Sequence, residues 1–508
     1  MIKLPVKILD IRSVDPTIMI SHKTASRLKF KHTAVVTVRQ EISGKSFSAT
    51  PVVTEGLVED NVVGISAPDA EWLGIKDGDE VIVANRRRPA SLDLIKQKMK
   101  GKTLTKNEVY SIVNDISKRN YINLEISSFV LTSDFQGFSE DEMTAFAISM
   151  AEQGTQFDFQ EKTFDKHSIG GVPGNKVSLV IVPIVASAGL LIPKTSSRAI
   201  TSPSGTADSM EVLADVEFSP DEVSEIAPKV RGMIIHNEPL KLSPMDGIVA
   251  KVKKFLDVDP QDQMLSAIIS TKIAMGIKNL VLDIPTGKYT KMQTPEEAMT
   301  FAHRLVGLCH RVGINVEAAM TMGDTPIGNN VGPALEAKEA LEILEGKVKN
   351  TAYTKSLELA GTLLEMGGVA PPNRGSEVAR DLVESGKALR KFKEIIEAQG
   401  GNPNLSSDQV RVGEYSHTIC AAQDGYVRSI SNRGTKLICA AAGAPSSKES
   451  GMVIHTRIGA FVKEGDPLFT IYSNSESKLS SAIQVATNYM AVKISGMIIN
   501  RVKSEKMI

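Results

Sequence analysis

The first 86 positions of the chain alternate between short apolar runs and polar turns. The segments VKILDI at 6–11 and EVIVA at 80–84 are rich in the β-branched and other apolar residues that favour strands. Asp77-Gly78 precedes the second segment, and this dipeptide is typical of a turn between strands. We therefore predict a β-barrel-like domain over residues 1–86.

From Ser91 onward the apolar residues recur at spacings of three and four, which is the pattern of amphipathic helices. Thr105 precedes KNEVYSIVNDISK and Ser139 precedes EDEMTAFAISMAE, so each residue is placed to cap the start of a helix. The acidic residues after Ser139 complement the positive end of that helix. We predict a helical domain over 91–165, and we expect a later segment near 240–275 to join it.

Strand and helix patterns alternate through residues 166–400, the predicted central α/β domain. NLVLDIPTGK contains the apolar run of a buried strand, and TPEEAMTFAHRLVGLCHRVG opens with the Thr-Pro pair that favours a helix start. Such alternation indicates a largely parallel sheet flanked by helices. The tract Val177–Pro193 approaches the length of a membrane span, but two prolines and a glycine interrupt it. We interpret this tract as a buried core helix.

Residues 410–508 return to β patterns, and we predict a third domain there. HTICAAQDGYVRSI and TKLICAAAGA both have the composition of strands. VKEGDPLFTI resembles the half-repeat of a lipoyl/biotinyl-like β sandwich, although the lysine that carries a prosthetic group is missing between its strands. We therefore expect a structural α/β domain of this type and a possible contact between subunits.

Composition narrows the classes of function. Lys plus Arg equals Asp plus Glu at 59 each, so the chain lacks the basic excess of a general nucleic-acid binder. Aromatic residues make up 5%, too few for extensive stacking on bases. The three cysteines are far apart and form no metal-binding spacing, and the N-terminus lacks the apolar core of a signal peptide. We expect a cytoplasmic protein with no nucleic-acid or membrane partner and no metal.

Two polar clusters surround the apolar tract and are suited to binding phosphate. KHSIGGVPGNK at 166–176 combines lysines, a hydroxyl and glycines, which lets backbone N–H groups converge on an anion. Its spacing fits neither a P-loop nor G-x-G-x-x-G, so ATP and dinucleotides are disfavoured. The second cluster, at 194–208, holds seven Ser or Thr residues with one Lys and one Arg. A structural turn and a polar surface loop are the simpler alternatives for each cluster alone.

The two clusters are similar in sequence to motifs of a known protein family. Together with DIPTGKYTK at 283–291 and GPALEAKEAL at 332–341, they resemble the AMP phosphorylase / thymidine phosphorylase family in its long form with an N-terminal β extension. The resemblance covers nearly the whole chain. It implies phosphorolysis, in which inorganic phosphate attacks C1′ of a nucleotide or nucleoside and releases the free base. It also implies an active site in a cleft between the helical and α/β domains.

The resemblance assigns site residues by position. The residues that match phosphate-binding positions are Lys166, Ser168, Ser178 and Ser196, with Thr206 shared between phosphate and nucleotide. Those that match nucleotide-binding positions are Gly171, Ser197, Arg198, Ala199, Ile200, Thr201, Ser202, Thr206 and Lys291. Asp259 matches the acid that protonates the leaving base. Asp257, two residues earlier, is the alternative candidate for this role. Inorganic phosphate is then a co-substrate, and no cofactor is required.

Three departures from the family pattern lie on the base and sugar side. Ile235–Pro239 replaces a Trp-Gly-Gly stretch, and Ser266-Ala267 reverses the usual Ala-Ser order. Only Lys272, after Thr271, remains of a later lysine pair, so the roles of Ser266 and Lys272 are open. We interpret His236 as a loop histidine without a chemical role.

The departures leave several functions to compare. We favour AMP as the substrate because Arg198, Asp259 and Lys291 are all present, with a thymidine or pyrimidine nucleoside phosphorylase as the alternative. A ligand-binding paralogue without turnover is a second alternative. Anthranilate phosphoribosyltransferase shares the fold, but it requires Mg²⁺ and its GTGGD motif is not found here. We also expect a homodimer or a higher homo-oligomer.

Overall fold

The computed structural model describes residues 1–11, 13–28, 35–199 and 202–497. Internal contacts divide the chain into two compact units. The first unit combines Met1–Gln156 with Lys241–Ala274, and the second combines Phe157–Leu240 with the chain from Met275 onward. The fold class predicted from the sequence is confirmed: a helical bundle and a central α/β domain are accompanied by β domains towards both ends of the chain.

The helices and strands follow one another in chain order. To residue 152 they are β1 (Ile2–Leu9), β2 (Thr17–Ser21), α1 (His22–Leu28), β3 (Val36–Arg39), β4 (Ser46–Thr54), β5 (Val63–Ser66), α2 (Ala67–Leu73), β6 (Glu80–Asn85), α3 (Ser91–Met99), α4 (Lys106–Ser117), α5 (Asn123–Gln136) and α6 (Glu140–Glu152). To residue 274 they are β7 (Phe164–Ser168), α7 (Val177–Ser187), β8 (Ile192–Ser196), α8 (Thr206–Met210), α9 (Pro220–Val230), β9 (Gly232–His236), α10 (Pro244–Leu256) and α11 (Gln261–Ala274).

The remaining elements complete the second unit. To residue 398 they are β10 (Asn279–Thr286), α12 (Pro295–Arg311), β11 (Asn315–Met322), β12 (Asn330–Val331), α13 (Pro333–Leu344), α14 (Thr351–Met366), α15 (Gly375–Glu384) and α16 (Lys387–Ala398). After a 3₁₀ turn at Ser407–Gln409 they are β13 (Tyr415–Cys420), β14 (Gly425–Ile430), α17 (Asn432–Ala442), β15 (Gly451–Ile454), β16 (Phe461–Val462), β17 (Pro467–Ser473), α18 (Glu476–Asn488) and β18 (Val492–Ser495).

In the first unit, six strands close into a barrel in the order β1-β5-β2-β4-β3-β6. Closure pairs every strand on both sides and leaves no exposed sheet edge. Side chains such as Val38, Phe47 and Val83 fill the interior and are fully buried. The barrel is followed by helices α3–α6, and the predicted caps at Thr105 and Ser139 are both present as capping boxes.

Helix α11 packs on α6 and belongs to the first unit although it lies more than 100 residues later in the chain. Asp262 in its first turn accepts a hydrogen bond from the backbone N–H of Phe138 at 2.6 Å. Phe138 in turn stacks on Phe146, with ring centroids 4.5 Å apart. Apolar packing and one buried carboxylate therefore fix the later segment onto the helical bundle.

The second unit is built on parallel strands. β11, β10 and β7 form one sheet in that order, and β8 pairs with β9 in parallel. An isolated parallel bridge between Thr163 and Leu191 joins the two groups. Helix α7 is buried from Val177 to Ala186, so the apolar tract is a core helix as predicted. Among the described residues, no helix is both long and apolar enough to cross a membrane.

The C-terminal part of the second unit contains two antiparallel sheets, β12-β15-β17-β13 and β16-β14-β18. The prediction of a strand at TKLICAAAGA is wrong, because this stretch lies in helix α17. Ser431 caps the helix by accepting from the backbone N–H of Gly434, and its last turn is a run of alanines. Alanine has the highest helix propensity, and Gly443 ends the helix with a φ of 117°.

Lys176 closes the glycine loop onto the body of the second unit. Its side chain is fully buried, and Nζ donates to the carbonyls of Ile327 at 3.0 Å and Asn330 at 2.8 Å and to the Glu339 carboxylate. A Cβ on Gly174 would lie 2.5 Å from the Ile327 carbonyl oxygen, so only glycine fits there. The ammonium of Lys176 is therefore committed to the fold.

Replacing Lys176 with Met is expected to destabilise the protein by about 3–5 kcal/mol, because it leaves the Glu339 carboxylate buried without its cation. Denaturant unfolding measures this loss. Lys229→Met is the control, since Lys229 pairs with Glu225 on the surface, and it should cost less than about 1 kcal/mol. Equal losses in the two variants would contradict the structural role of Lys176.

Candidate active site

The predicted phosphate and nucleotide residues of the second unit follow the carboxyl ends of its parallel strands. Ser168 ends β7, Ser196 ends β8, His236 ends β9, and the DIPTGKYTK segment continues from β10. Parallel strands bring these ends to one edge of a sheet, where α/β proteins bind ligands. The edge therefore collects segments that lie more than 100 residues apart in the sequence.

The glycine loop at 169–176 is folded back on the end of its own strand. Gly170 N–H donates to Ser168 Oγ at 3.3 Å, and Asn175 Nδ2 donates to the same oxygen at 3.1 Å. Gly170 and Gly171 have φ values of 79° and 98°, which non-glycine residues rarely adopt. Successive amides in such a turn form a concave donor surface suited to an anion.

Gly171 brings two predicted nucleotide-binding positions together. A Cβ on Gly171 would lie 3.0 Å from the backbone nitrogen of Lys291 and 3.3 Å from the Cα of Thr290. The glycine loop therefore touches the segment after β10 directly. The sequence contained no signal for a further contact, in which Lys436 Nζ of helix α17 donates to the Gly171 carbonyl at 2.7 Å. Burial lowers the pKa of Lys436.

Lys166 is buried and faces the carboxylate of Asp283. Its Nζ lies 3.3 Å from Asp283 Oδ2, and Lys355 Nζ of helix α14 lies 2.9 Å from Oδ1. Thr321 and Asn175 also donate to this carboxylate, at 2.6 and 3.2 Å. One aspartate therefore holds two lysines from different elements.

The pKa values of Lys166 and Asp283 are both shifted from their usual ranges. Burial lowers the pKa of Lys166, the Asp283 carboxylate opposes that shift, and the charge of Lys355 adds to it. Burial acts to raise the pKa of Asp283, but Lys166 and Lys355 outweigh burial and hold it well below its usual range. Asp283 is consequently an anion at neutral pH, and an incoming phosphate would favour the charged form of Lys166.

The sequence patterns did not single out Asp283 or Lys355. An aspartate inside the apolar run NLVLDIP was an available signal, since a carboxylate on a buried strand requires buried partners. Nothing in the sequence indicated Lys355, because its partner lies 72 positions away and on another element. Only the packing of α14 against β10 brings them together.

The hydroxyl-rich segment after β8 is organised by Asp208. This buried carboxylate accepts from the backbone N–H groups of Ala199 and Gly205 at 2.7 and 2.8 Å. Ser196 Oγ donates to the Ser197 carbonyl at 3.1 Å, and Ser202 Oγ donates to the Ser204 carbonyl at 3.0 Å. The predicted positions Ser196, Ser197, Ala199 and Ser202 thus belong to one folded segment.

The other predicted residues of this region either lie in the first turn of a helix or fall outside the described residues. Thr206 is the first residue of α8, while Gly205 holds the cap position. Ser178 is the second residue of the buried helix α7. Ile200 and Thr201 lie outside the described residues. Both helix starts therefore contribute a hydroxyl to segments that the resemblance assigns to phosphate binding.

Arg198 is held by carboxylates in this structure. Its guanidinium pairs with Glu211 in a bidentate arrangement and donates to Glu217 at 2.9 Å. The hydrogen bonds between Arg198 and Glu211 raise the pKa of Arg198. The same hydrogen bonds lower the pKa of Glu211 to about 2. Glu217 is 59% exposed and Glu211 is 24% exposed. Glu217 is therefore the partner that a phosphate could replace at the lower cost.

The interpretation of His236 as a loop residue is wrong. His236 is the last residue of β9, pairs in register with Ser196, and is only 6% exposed. Its Nδ1 lies 3.6 Å from Glu217 Oε1, beside the contact between Glu217 and Arg198. The strand continues through this position because Ile234 and Ile235 are both buried in the core. The departure from the family pattern thus places a buried imidazole next to the predicted nucleotide residues.

Asp259 belongs to the first unit. It lies between α10 and α11, its side chain is 51% exposed, and Oδ1 accepts from Lys253 Nζ at 3.0 Å. Asp257 follows the last residue of α10 with a φ of 53°, and both aspartates lie in the connection between α10 and α11.

Ser266 and Lys272 lie on α11, also in the first unit. Ser266 Oγ donates to the Met143 carbonyl at 3.2 Å and is buried, so its hydroxyl serves helix packing. Lys272 is buried on the same helix. The assignment of site roles to these two residues stays a prediction.

Family models match three parts of the chain. The a/b domain of the glycosyl transferase family matches residues 160–389, and its helical bundle domain matches 92–154. The C-terminal domain of pyrimidine nucleoside phosphorylases matches 426–493. The fold also resembles anthranilate phosphoribosyltransferase from Thermus thermophilus, with a TM-score of 0.53 and 19% identity over 61% of this chain and 100% of that one. The matching family models place the chain among the pentosyltransferases.

Full-length relatives give the family. The chain is 44% identical to an AMP phosphorylase of Thermococcus kodakarensis over 98% of this chain and 99% of the relative. It is 42% identical to an AMP phosphorylase of Methanocaldococcus jannaschii over 99% of both chains. The chain belongs to the AMP phosphorylase family.

The contact between Gly171 and Lys291 can be tested by adding one methyl group. Gly171→Ala is expected to weaken the binding of inorganic phosphate by about tenfold, since the new Cβ pushes the loop off the Lys291 backbone. Gly170→Ala is the matched control, because Gly170 also has a positive φ but would place its Cβ in open space. Calorimetry measures both affinities. If both variants bind phosphate equally weakly, the loss of affinity comes from backbone strain and not from the contact with Lys291.

Proposed function

We propose that this protein catalyses the phosphorolysis of AMP, which converts AMP and inorganic phosphate to adenine and ribose 1,5-bisphosphate. The proposal rests on two cationic side chains near the carboxyl ends of the parallel strands. One of them is buried and the other is partly exposed. Lys166 is buried beside the glycine loop, and Arg198 is partly exposed in the hydroxyl-rich segment. AMP phosphorolysis needs two such groups, one for the attacking phosphate and one for the 5′-phosphate.

The buried site suits the attacking phosphate. C1′ of the sugar becomes cation-like as the bond to the base breaks, and the nucleophile must be fixed and desolvated beside it. Lys166 supplies charge, and the glycine loop forms a turn whose amides can donate to phosphate oxygens, with that of Gly170 exchanging its contact with Ser168 Oγ. We assign Ser168, Ser178 and Ser196 to the same oxygens on the basis of the family match.

Arg198 is suited to the 5′-phosphate. Guanidinium donates to carboxylate and phosphate oxygens alike, so a phosphate oxygen can take the place that Glu217 Oε1 occupies. Lys291 follows β10 and contacts Gly171 through its backbone, which places the segment beside the glycine loop. Gly171, Ser197, Ala199, Ser202 and Thr206 complete the proposed nucleotide contacts, with Ile200 and Thr201 between them in the chain.

Asp259 is the proposed general acid. The departing adenine gains negative charge as the glycosidic bond breaks, and a carboxylic acid can protonate it. In this structure Lys253 neutralises the carboxylate from 3.0 Å. That ion pair must break before the reaction, because Asp259 has to carry a proton in order to transfer it to the base; once the proton has moved, Lys253 can again pair with the carboxylate. Ser266 and Lys272 on the following helix are secondary candidates for contacts to the substrate.

The finer properties of the enzyme are also proposals. We propose that phosphorolysis needs neither a cofactor nor a metal, since the lysines, hydroxyls and amides can bind phosphate without one. We further propose a cytoplasmic homo-oligomer. Unchanged activity in the presence of a chelator would support the metal-free mechanism, whereas a requirement for Mg²⁺ would point to chemistry of the phosphoribosyltransferase type.

Base release from AMP, thymidine and uridine, with and without inorganic phosphate, tests the reaction. We expect phosphate-dependent adenine release from AMP, and Asp259→Asn should lower kcat by roughly 10²–10⁴-fold. Asp257→Asn is the control, because asparagine tolerates the same left-handed conformation. Release from thymidine or uridine alone would move the substrate to nucleosides. No release from any of them would favour a paralogue that binds without turnover.

The role of Arg198 can be separated from catalysis. Arg198→Gln is expected to raise KM for AMP by roughly 10- to 100-fold, which corresponds to one lost charge-assisted contact of about 1.5–3 kcal/mol. Adenosine lacks the 5′-phosphate, so its turnover serves as the internal control and should change little. Equal losses with AMP and adenosine would contradict the assignment of Arg198 to the 5′-phosphate.

A further inference from the structure

Lys355 is a buried lysine that neither the sequence nor the family match assigns to the site. It lies in the second turn of α14, and its side chain is 8% exposed. Its Nζ lies 2.9 Å from Asp283 Oδ1, on the carboxylate that also faces Lys166. Lysine is rarely buried unless its charge is balanced, so its presence here requires an explanation.

The local charges do not balance. Two ammonium groups, those of Lys166 and Lys355, share the single carboxylate of Asp283. The nearby Lys194 has its own carboxylate, with Nζ 3.7 Å from Asp165 Oδ1. With both lysines protonated, the Lys166–Asp283–Lys355 triad therefore carries one net positive charge in a buried environment, where an uncompensated charge is costly.

The hydrogen bonds of Asp283 and Lys355 also favour an anionic ligand. Asp283 is already satisfied by Thr321 and Asn175 in addition to its lysines. Lys355 Nζ can donate three hydrogen bonds, and its contact within the described part of the chain is with Asp283 Oδ1 at 2.9 Å. This one contact leaves part of its donor capacity for another acceptor. A buried ammonium with donors to spare is suited to an anionic ligand.

We propose that Lys355 is a second cation of the inorganic phosphate site, where it acts with Lys166 across Asp283. This inference rests on the proposed function and extends it to a residue on α14. Phosphate supplies the negative charge that the triad lacks, and a dianion leaves Asp283 free to hold both lysines in place. The excess charge then favours phosphate over neutral ligands before any nucleotide is bound.

The structure also predicts how the site behaves without Lys355. After its removal, Asp283 retains Lys166, Thr321 and Asn175, so no carboxylate is left buried without a cation. The remaining pair is electrically neutral. Removal of Lys355 should therefore leave the phosphate-free protein as stable as before or more stable, while phosphate binding weakens. A purely structural lysine would show the opposite, with a loss of stability.

Lys355→Met keeps the length of the side chain and removes its charge. We expect Kd and KM for inorganic phosphate to rise by roughly 10- to 100-fold, the usual effect of one charge-assisted contact. KM for AMP should change by less than about threefold, and Tm without phosphate should not fall. Lys349→Met is the control, since Lys349 is an exposed lysine just before α14 that pairs with Glu384.

Lys355→Arg keeps the charge and should retain more phosphate affinity than Lys355→Met, which gives a second test if the Met variant folds poorly. The inference is overturned if Lys355→Met binds phosphate like the wild type, or if its weaker binding comes with an equal loss of Tm and of AMP affinity. Calorimetry with phosphate alone involves no turnover, so it measures phosphate binding independently of the reaction. A wild type that binds phosphate but releases no adenine would refute only the proposed function.

Discussion

The buried carboxylate of Asp283 is the interaction on which the arrangement of the site depends. It sits in the central strand of the sheet β11-β10-β7 and contacts side chains of both neighbouring strands, through Lys166 and Thr321. It also holds Lys355 of α14 and Asn175 of the glycine loop. A carboxylate cannot be buried without such partners, so one charge imposes positions on four segments at once.

The glycine loop is fixed by a second set of buried contacts at its far end. Lys176 ties the start of α7 to Glu339 and to two backbone carbonyls, and Gly174 allows the close approach that this requires. Between these two anchors the loop has little freedom, because Asn175 links Asp283 to Ser168. The donor groups of Gly170 and Gly171 are therefore held in place before a ligand arrives, and a preorganised site loses less free energy on binding.

Local patterns predicted much of the fold, and long-range contacts account for what they missed. The caps at Thr105 and Ser139 and the buried strand β10 depend on residues within one segment, so the sequence was sufficient for them. Helix α17 was mistaken for a strand because the segments on both sides of it have strand patterns, although the helix itself holds only two β-branched residues and ends in three alanines. The roles of Lys176, Lys355 and Lys436 depend on partners at least 72 positions away, and no local pattern reports them.

The two cationic groups of the site are prepared to different degrees. Lys166 is buried in a cluster whose partners are all buried or partly buried, so the proposed binding of phosphate requires little change in its position. Arg198 is paired with Glu211 and with the exposed Glu217, and a nucleotide phosphate must displace a carboxylate to reach it. Nδ1 of His236 lies 3.6 Å from Glu217 and offers the displaced carboxylate another partner. Under the proposed function, selectivity for the nucleotide therefore depends on an exchange of ion-pair partners at Arg198, whereas inorganic phosphate enters a site that is already formed.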